Sequence, residues 1–550
     1  VNLLPIHDVL DLLQRTLAAQ PSVVLVAPPG AGKTTVVPLA LLDAPWLAGQ
    51  RVIVLEPRRV AARAAARYMA RSLGEQVGGT VGFRIRGETK VSGRTRVEVV
   101  TEGVLTRMLQ DDPSLEGVGA VLFDEFHERH LAADVGLALT IETQQALRPD
   151  LRLLVMSATL DGVQVAELLG GAPVVESVGR AYPVQTIYRP RRIEMRTEAA
   201  VSAEVREAIQ DDEGDVLVFL PGIGEIRRVQ EYLGDAALPA DVDVLPLHGS
   251  LTGDEQDAAL MAAPAGRRKV VLATSIAESS VTVDGVRVVI DSGWSRVPRF
   301  SPRTGMTRLE TVRVSRASAD QRRGRAGRQA PGVCRRLWTE GDHAGLVPYT
   351  RPEVLDADLS PLALDLAIAG VRDPVQLRWL DPPPTSAFAQ ARTLLTQLGA
   401  LDAAGALTPH GRAMSRLGIQ PRLAHMLLRA EEMDAAALAC DLAALIEERD
   451  VLRGDGARPD TDLRLRLELL QRGGPMVEPV RRLARDLRRR LGASDGVCDM
   501  EVSGLLLAWA YPDRIAQRRP ETAGRYLLAN GRGVSLPTTD SLAMSDWLVC

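Results

Sequence analysis

The stretch from Ser22 to Leu42 limits what this chain can fold into more than any other. The apolar run VVLVA reads as a short buried strand, PPGAGKTT as a tight loop, and VVPLALL as a helix. Gly30 and Gly32 let backbone N–H groups close together at the start of that helix, where the donors and the helix dipole both favour an anion. Lys33 is placed to reach the outer phosphates of a nucleotide, and Thr34 to bind magnesium. The candidate cradle is Pro29, Gly30, Ala31, Gly32, Lys33, Thr34 and Thr35. Ala27 departs from the pattern G-x-x-x-x-G-K-T, standing at its first glycine. Of 66 basic residues only Lys33, Lys90 and Lys269 are lysines, which sets Lys33 apart from the arginine background. The bland alternative, a Gly-rich turn with a chance lysine, leaves the flanking strand and helix unexplained.

About ninety residues on, AVLFDEFHERH brings an apolar strand to Asp124 and Glu125. Carboxylates at strand ends of a parallel sheet lie at the ligand crevice. Asp124 is expected in the magnesium shell with Thr34 and Glu125, and Glu125 is the candidate general base for the attacking water. Taken alone, an acidic pair at a strand end reads equally well as a solvated turn. A third strand, LRLLVM, delivers Ser157, Ala158 and Thr159, whose hydroxyls could sense the carboxylate pair.

A second α/β unit is expected from Ala181, with DVLVFLPG, KVVLATS and VRVVIDSGW as strands and IGEIRRVQEYL as a helix. Its last run, QRRGRAGR, has helical spacing that can bring several of Gln321, Arg322, Arg325 and Arg328 to one face. Gly324 and Gly327 would each cost about 1 kcal/mol in a helix relative to alanine, so close packing or a ligand accounts for them better than an exposed basic helix does. Arginines that reach a γ-phosphate from a second domain are worth about 10³ to 10⁵ in rate in other phosphoryl-transfer systems.

Length and composition suit several soluble domains: 550 residues, 46% hydrophobic, 25% charged. The net charge of -4 argues against a histone-like polyanion binder, so a nucleic acid would have to meet a local basic track. No apolar run is long enough to cross a bilayer, so no membrane partner is expected. Cys334, Cys440, Cys498 and Cys550 form no metal-like or redox pair, and a cytoplasmic setting is expected.

In order, APPGAGKT (27–34), EPRR (56–59), TEG (101–103), DEFH (124–127), SAT (157–159), ATSIAESSVTVD (273–284) and QRRGRAGR (321–328) resemble the motif series of superfamily 2 helicases. More narrowly they resemble the DEAH-box group, where DEFH in place of DEAH fits a bacterial branch. The resemblance implies two RecA-like domains, 1–180 and 181–348, with ATP and magnesium between them and a 3′-to-5′ RNA helicase activity. Single-stranded RNA, with DNA as the alternative, is the implied partner of a monomer. A general nucleic-acid translocase or a nucleotide-gated scaffold are the rival functions. It places Gln321, Arg325, Arg328 and Asp284 at the nucleotide, His127, Ser157 and Thr159 in coupling, and Arg58, Arg59, Thr101, His248 and Thr274 along the nucleic-acid backbone. The family's base sandwich would use Trp294; its arginine position falls at Tyr68, which fits a core role equally well. RVPRF and TRLET within 296–313 read as a hairpin, either a plain surface hairpin or one set beside the strand.

After Pro348 the chain turns to Leu, Ala and Arg at helical spacing. The resemblance implies a winged-helix domain at 349–420, a helical bundle at 421–510 and the start of an OB-like fold at 511–550. The bundle's RRLARDLRRRL either lines a nucleic-acid channel or forms a solvated face. The final SLAMSDWLVC is apolar and reads as interrupted.

Overall fold

Strands whose side chains are apolar on both faces need helices on both faces, which is the requirement of a parallel sheet. A computed structural model describes residues 4–550 other than 29, 86, 159–161, 180–181, 190–194, 236–237, 252, 279–281, 302–304, 449, 453–459, 495–498 and 521–522. Strands β1 (Ser22–Val26), β2 (Arg51–Leu55), β3 (Val81–Ile85), β4 (Glu88–Lys90), β5 (Val97–Val100), β6 (Val118–Phe123), β7 (Arg152–Ser157) and β8 (Val174–Glu176) form one sheet, ordered β4-β3-β5-β2-β6-β7-β1-β8. Neighbours pair in parallel except β3 with β4. All five residues of β1 are buried, and each fully buried Val or Leu contributes about 1.5–3 kcal/mol. Because β1, β7 and β6 are neighbours, the loops leaving them converge on one edge of the sheet.

A second sheet follows the same logic. Strands β9 (Val184–Tyr188), β10 (Asp215–Phe219), β11 (Val242–Leu247), β12 (Arg268–Ala273) and β13 (Val286–Asp291) precede an antiparallel hairpin, β14 (Trp294–Ser301) with β15 (Met306–Arg313). Strand β16 (Gly332–Arg336) then completes an all-parallel order β11-β12-β10-β13-β16-β9. The hairpin begins two residues before the expected 296, and residues 302–304 of its turn lie outside the described residues.

The chain divides into two units, Val1–Asp358 with Val375–Pro384, and Leu359–Pro374 with Thr385–Cys550. Residues 349–358, grouped by composition with the third part, therefore belong to the first unit. In the second unit, helices Thr385–Gln397 and Pro409–Leu417 flank a Leu401–Leu407 bridge, and Thr408 caps the latter helix by accepting from Gly411 N–H at 3.0 Å. Helices Pro421–Glu431, Ala436–Glu447, Leu463–Arg472, Glu478–Leu491 and Ser503–Ala510 form the bundle. Strands β17 (Ile515–Arg518), β18 (Arg525–Leu528), β19 (Gly533–Ser535) and β20 (Trp547–Val549) form an antiparallel sheet, ordered β19-β18-β17-β20. In the arginine-rich helix, Arg488 pairs with Asp441 at 2.5 Å, Arg485 with Glu478 at 2.6 Å and Arg490 with Asp486 at 2.6 Å. Those charges are spent within the unit. Among the described residues no helix is long and apolar enough to cross a membrane.

Candidate active site

The loop after β1 is bent by Gly30 (φ +85°) and Gly32 (φ +96°), the latter preceding the helix Lys33–Ala40. A Cβ on Gly32 would come within 2.9 Å of Leu4 Cδ1 and 3.1 Å of Ile6 Cγ2, so close packing and left-handed backbone both demand glycine. Ala31 is buried, and its carbonyl accepts from Ile6 N–H at 3.1 Å. Thr34 and Thr35 begin the helix, and Ala27 N–H donates to Ser157 O at 3.0 Å, which ties the loop to the end of β7. Pro29 and Thr159 lie outside the described residues.

Lys33 is only 3% exposed, and its Nζ lies 3.2 Å from Glu125 Oε1 and 4.0 Å from Asp124 Oδ1. Burial works to lower its pKa, but Glu125 and Asp124 more than offset this and hold it above the ordinary lysine value. The ion pairs are made without a well-formed hydrogen bond at Nζ. Asp124 has its pKa raised to about 6, by burial first and with Lys33 opposing. Its Oδ1 accepts from Glu125 N–H at 2.8 Å, while Oδ2 is buried with no hydrogen-bond partner among the described residues. Glu125 itself sits in the left-handed region (φ +48°); burial would raise its pKa, but Lys33 and His127 hold it below the usual carboxylate value.

Glu56, the first residue of EPRR, is buried in the same cluster. Burial, Asp124 and Glu125 push its pKa well up, and its Oε1 has no hydrogen-bond partner among the described residues. The signal was its place directly after the apolar run RVIVL, the strand-end position that also marks Asp124, and the pairing of β2 with β6 brings the two together.

His127 joins three of the motifs. Ala158 N–H donates to its Nδ1 at 3.3 Å, the Gln321 side-chain amide lies 3.3 Å from its Nε2, and Glu125 Oε2 lies 3.5 Å from the same nitrogen. The Gln321 atom at that distance is its amide nitrogen, Nε2, and the Glu125 carboxylate is the acceptor beside the same ring nitrogen. The Ala158 N–H ties His127 to the end of β7, where Ser157 is buried. Burial keeps His127 below the ordinary histidine pKa.

The helix expected through QRRGRAGR ends at Gly324, so Arg325 and Arg328 leave from the following turn and no single helix face carries all four side chains. Gly327 is required by packing: a Cβ there would lie 2.6 Å from Tyr182 O. Arg322 points inward, to Asp291 at 2.8 Å and Glu278 at 3.1 Å, over the Phe219 ring. Arg325 is buried and donates to Glu278 O at 2.9 Å; Arg328 donates to Thr282 Oγ1 at 2.8 Å and reaches within 3.9 Å of where a Gly30 Cβ would stand. Burial depresses both guanidinium pKa values, that of Arg328 to about 10, with Glu125 acting to restore them. Arg328 of the second sheet therefore comes against the Gly30 loop of the first.

The other expected residues are more scattered. Asp284 accepts from the Gln329 amide at 3.1 Å. Tyr68 is 54% exposed on the helix Arg59–Ser72, which excludes the core role for it. Trp294 opens β14 with Arg313 stacked 5.1 Å from its ring centroid. Arg58 donates to Glu128 and Ser275 O, and Arg59 is exposed. Thr101 precedes the helix Glu102–Asp111, Thr274 precedes Ser275–Ala277, and His248 is buried beside Ser250 at 2.9 Å.

No cluster of three His, Cys, Asp or Glu side chains able to hold a metal exists among the described residues. A magnesium ion at Thr34 and Asp124 would have to complete its shell with phosphate oxygens and water, the usual arrangement for this ion. The orphaned Asp124 Oδ2 fits that demand.

Residues 11–168 match the DEAD/DEAH box helicase family, 200–330 the helicase conserved C-terminal domain, and 391–419 the winged-helix helicase associated domain HA2. The chain is 46% identical over 546 residues to the ATP-dependent RNA helicase HrpB of Escherichia coli (strain K12), covering 99% of this chain and 66% of that protein. It is 36% identical to the probable ATP-dependent RNA helicase DHX34 of Mus musculus, covering 80% of this chain and 39% of that protein. The crystal structure of the Escherichia coli DEAH/RHA helicase HrpB superposes with a TM-score of 0.90 at 45% identity, covering 100% of this chain and 68% of the other. This chain thus spans about two thirds of the bacterial relative's length and about two fifths of the mouse relative's. Matched through both sheets and the winged helix at that identity, it belongs to the DEAD/DEAH box helicases.

Proposed function

We propose that this chain is an ATP-dependent RNA helicase that couples hydrolysis between its two sheets to 3′-to-5′ movement along a single strand. The observation that carries the reading is the meeting of buried Lys33, Asp124 and Glu125 with Arg328 from the second sheet. Gly30, Ala31, Gly32, Lys33, Thr34 and Thr35 hold the phosphates, and Thr34 and Asp124 hold magnesium. Magnesium, when bound, neutralises charge on the phosphate oxygens. Glu125 takes the proton of the attacking water, Gln321 orients that water, and Arg325 and Arg328 stabilise charge on the transferring group. His127 and Ser157 report the state of the carboxylates to the second sheet. The base rests against Trp294, with Tyr68 on the opposite side. Arg58, Arg59, Thr101, His248 and Thr274 follow the nucleic-acid backbone, and the protein acts as a cytoplasmic monomer.

The test is steady-state ATP hydrolysis with and without single-stranded RNA or matched DNA, with Lys33→Ala beside the parent. Stimulation by RNA well above DNA, abolished in Lys33→Ala, is expected. Equal stimulation would make it a general nucleic-acid translocase, and no hydrolysis under any condition would leave a nucleotide-gated scaffold.

A further inference from the structure

Directly after the carboxylate pair the chain makes one tight turn, Phe126–Glu128, bounded by Glu125 (φ +48°) and Arg129 (φ +53°). Left-handed backbone at a residue other than glycine costs about 1–3 kcal/mol and persists only where the surroundings hold it. Glu128, the last residue of the turn, is held on two sides. Arg58 Nη2 donates to both Glu128 carboxylate oxygens, at 3.2 and 3.1 Å, while its Nη1 donates to Ser275 O of the second sheet at 3.1 Å. On its other side the Glu128 carboxylate meets His130 Nε2 at 2.8 Å. Burial opposes charge on His130, yet the hydrogen bonds to Glu128 and Glu353 keep it protonated, with a pKa of about 10.

Arg58 is 26% exposed and lines a cleft of about 1050 Å³ that carries both arginines, Arg296, Arg299, Arg313 and Arg351, and carboxylates, Glu278, Glu353 and Asp356, the last paired with Arg299 and Arg351. A phosphodiester entering that cleft would want the same guanidinium that Glu128 holds, since carboxylate and phosphate oxygens suit it alike. We propose that Glu128 is a positioning residue that competes with nucleic-acid phosphate for Arg58, so that phosphate binding releases the turn carrying Glu125. The inference rests on the reading of the chain as a nucleic-acid-stimulated ATPase. Its consequence for chemistry lies at Glu125, which begins the same turn: with the turn released, Glu125 parts from Lys33, 3.2 Å away, as the lysine turns to the phosphates, and its carboxylate meets the attacking water.

The test uses Glu128→Gln, which keeps the shape and removes the competing charge, and a fluorescein-labelled oligouridine. Binding without nucleotide should tighten severalfold. The slope of log K against log salt should steepen by about 0.7, the value of one further phosphate neutralised on a single strand. Basal hydrolysis should rise and the factor of stimulation by oligouridine should fall. Arg58→Gln carries the converse: weaker binding and a shallower slope, again with raised basal hydrolysis because the turn is released. A residue that merely supports the fold would lower basal and stimulated rates in parallel and would not tighten binding, and that result, or a lower basal rate in Arg58→Gln, overturns the proposal. A parent protein that oligouridine does not stimulate overturns the functional reading and this inference together.

Discussion

Glu125 illustrates how little a residue's type says about its task. Its neighbour Asp124 is raised to about 6, by burial first, while Glu125 is held below the usual value by Lys33, 3.2 Å from it and 4.0 Å from Asp124, and by His127. A depressed carboxylate stays ionised and can accept a proton throughout the neutral range. Glu125→Gln should therefore lose hydrolysis by about 10² to 10⁴, the usual share of a general base, with nucleotide affinity retained; single-turnover rates and equilibrium nucleotide binding check it. Normal turnover would remove Glu125 from that role. At this scale the sequence named Lys33, Asp124 and Glu125 from the loop and strand that carry them. It passed over Glu56, whose strand-end position after RVIVL stands alone until the sheet sets β2 beside β6.

Elements decide which arginines of QRRGRAGR are available. The helix Arg316–Gly324 points Arg322 into the core against Asp291 and Glu278, and its end releases Arg325 and Arg328. Removing Arg322 leaves two carboxylates without their cation, so Arg322→Ala should destabilise the protein by about 3–5 kcal/mol, visible in thermal unfolding. Helical spacing read from the sequence could not separate these roles, since it does not say that the helix stops at Gly324. In the second unit, His410 Nε2 lies 2.8 Å from His425 Nδ1 and joins helices Pro409–Leu417 and Pro421–Glu431. Burial, then His410 and Arg429, lower the pKa of His425 to about 4, against about 6.5 in an unfolded chain. A depressed histidine favours the fold fully above about 6.5, and that stability is lost as pH falls toward 4. The unfolding temperature should drop between pH 7.5 and 5, and His425→Asn should flatten the dependence; an unchanged pH profile in the variant would exclude the pair as its source.

The whole molecule matters because the proposed reaction needs both sheets. Arg328 reaches the phosphate loop only when the second sheet lies against the first, and Gln321 meets His127 across the same junction. Arg328→Ala should therefore bind nucleotide close to the parental affinity while turnover falls by about 10³ or more, as measured by nucleotide titration beside steady-state hydrolysis. An equal loss of binding would make Arg328 a ground-state contact. The sequence by itself determined the two α/β halves, the order of their motifs and the glycine-bent loop between β1 and its helix, because buried apolar runs, glycines and helix starts are local signals. Only the tertiary structure decided that Arg322 faces inward, that Glu56 joins the carboxylates, that Arg58 is shared by Glu128 and Ser275, and that His127 bridges three motifs. Each of those depends on residues far apart in the chain, brought together by parallel strands whose order no local pattern specifies.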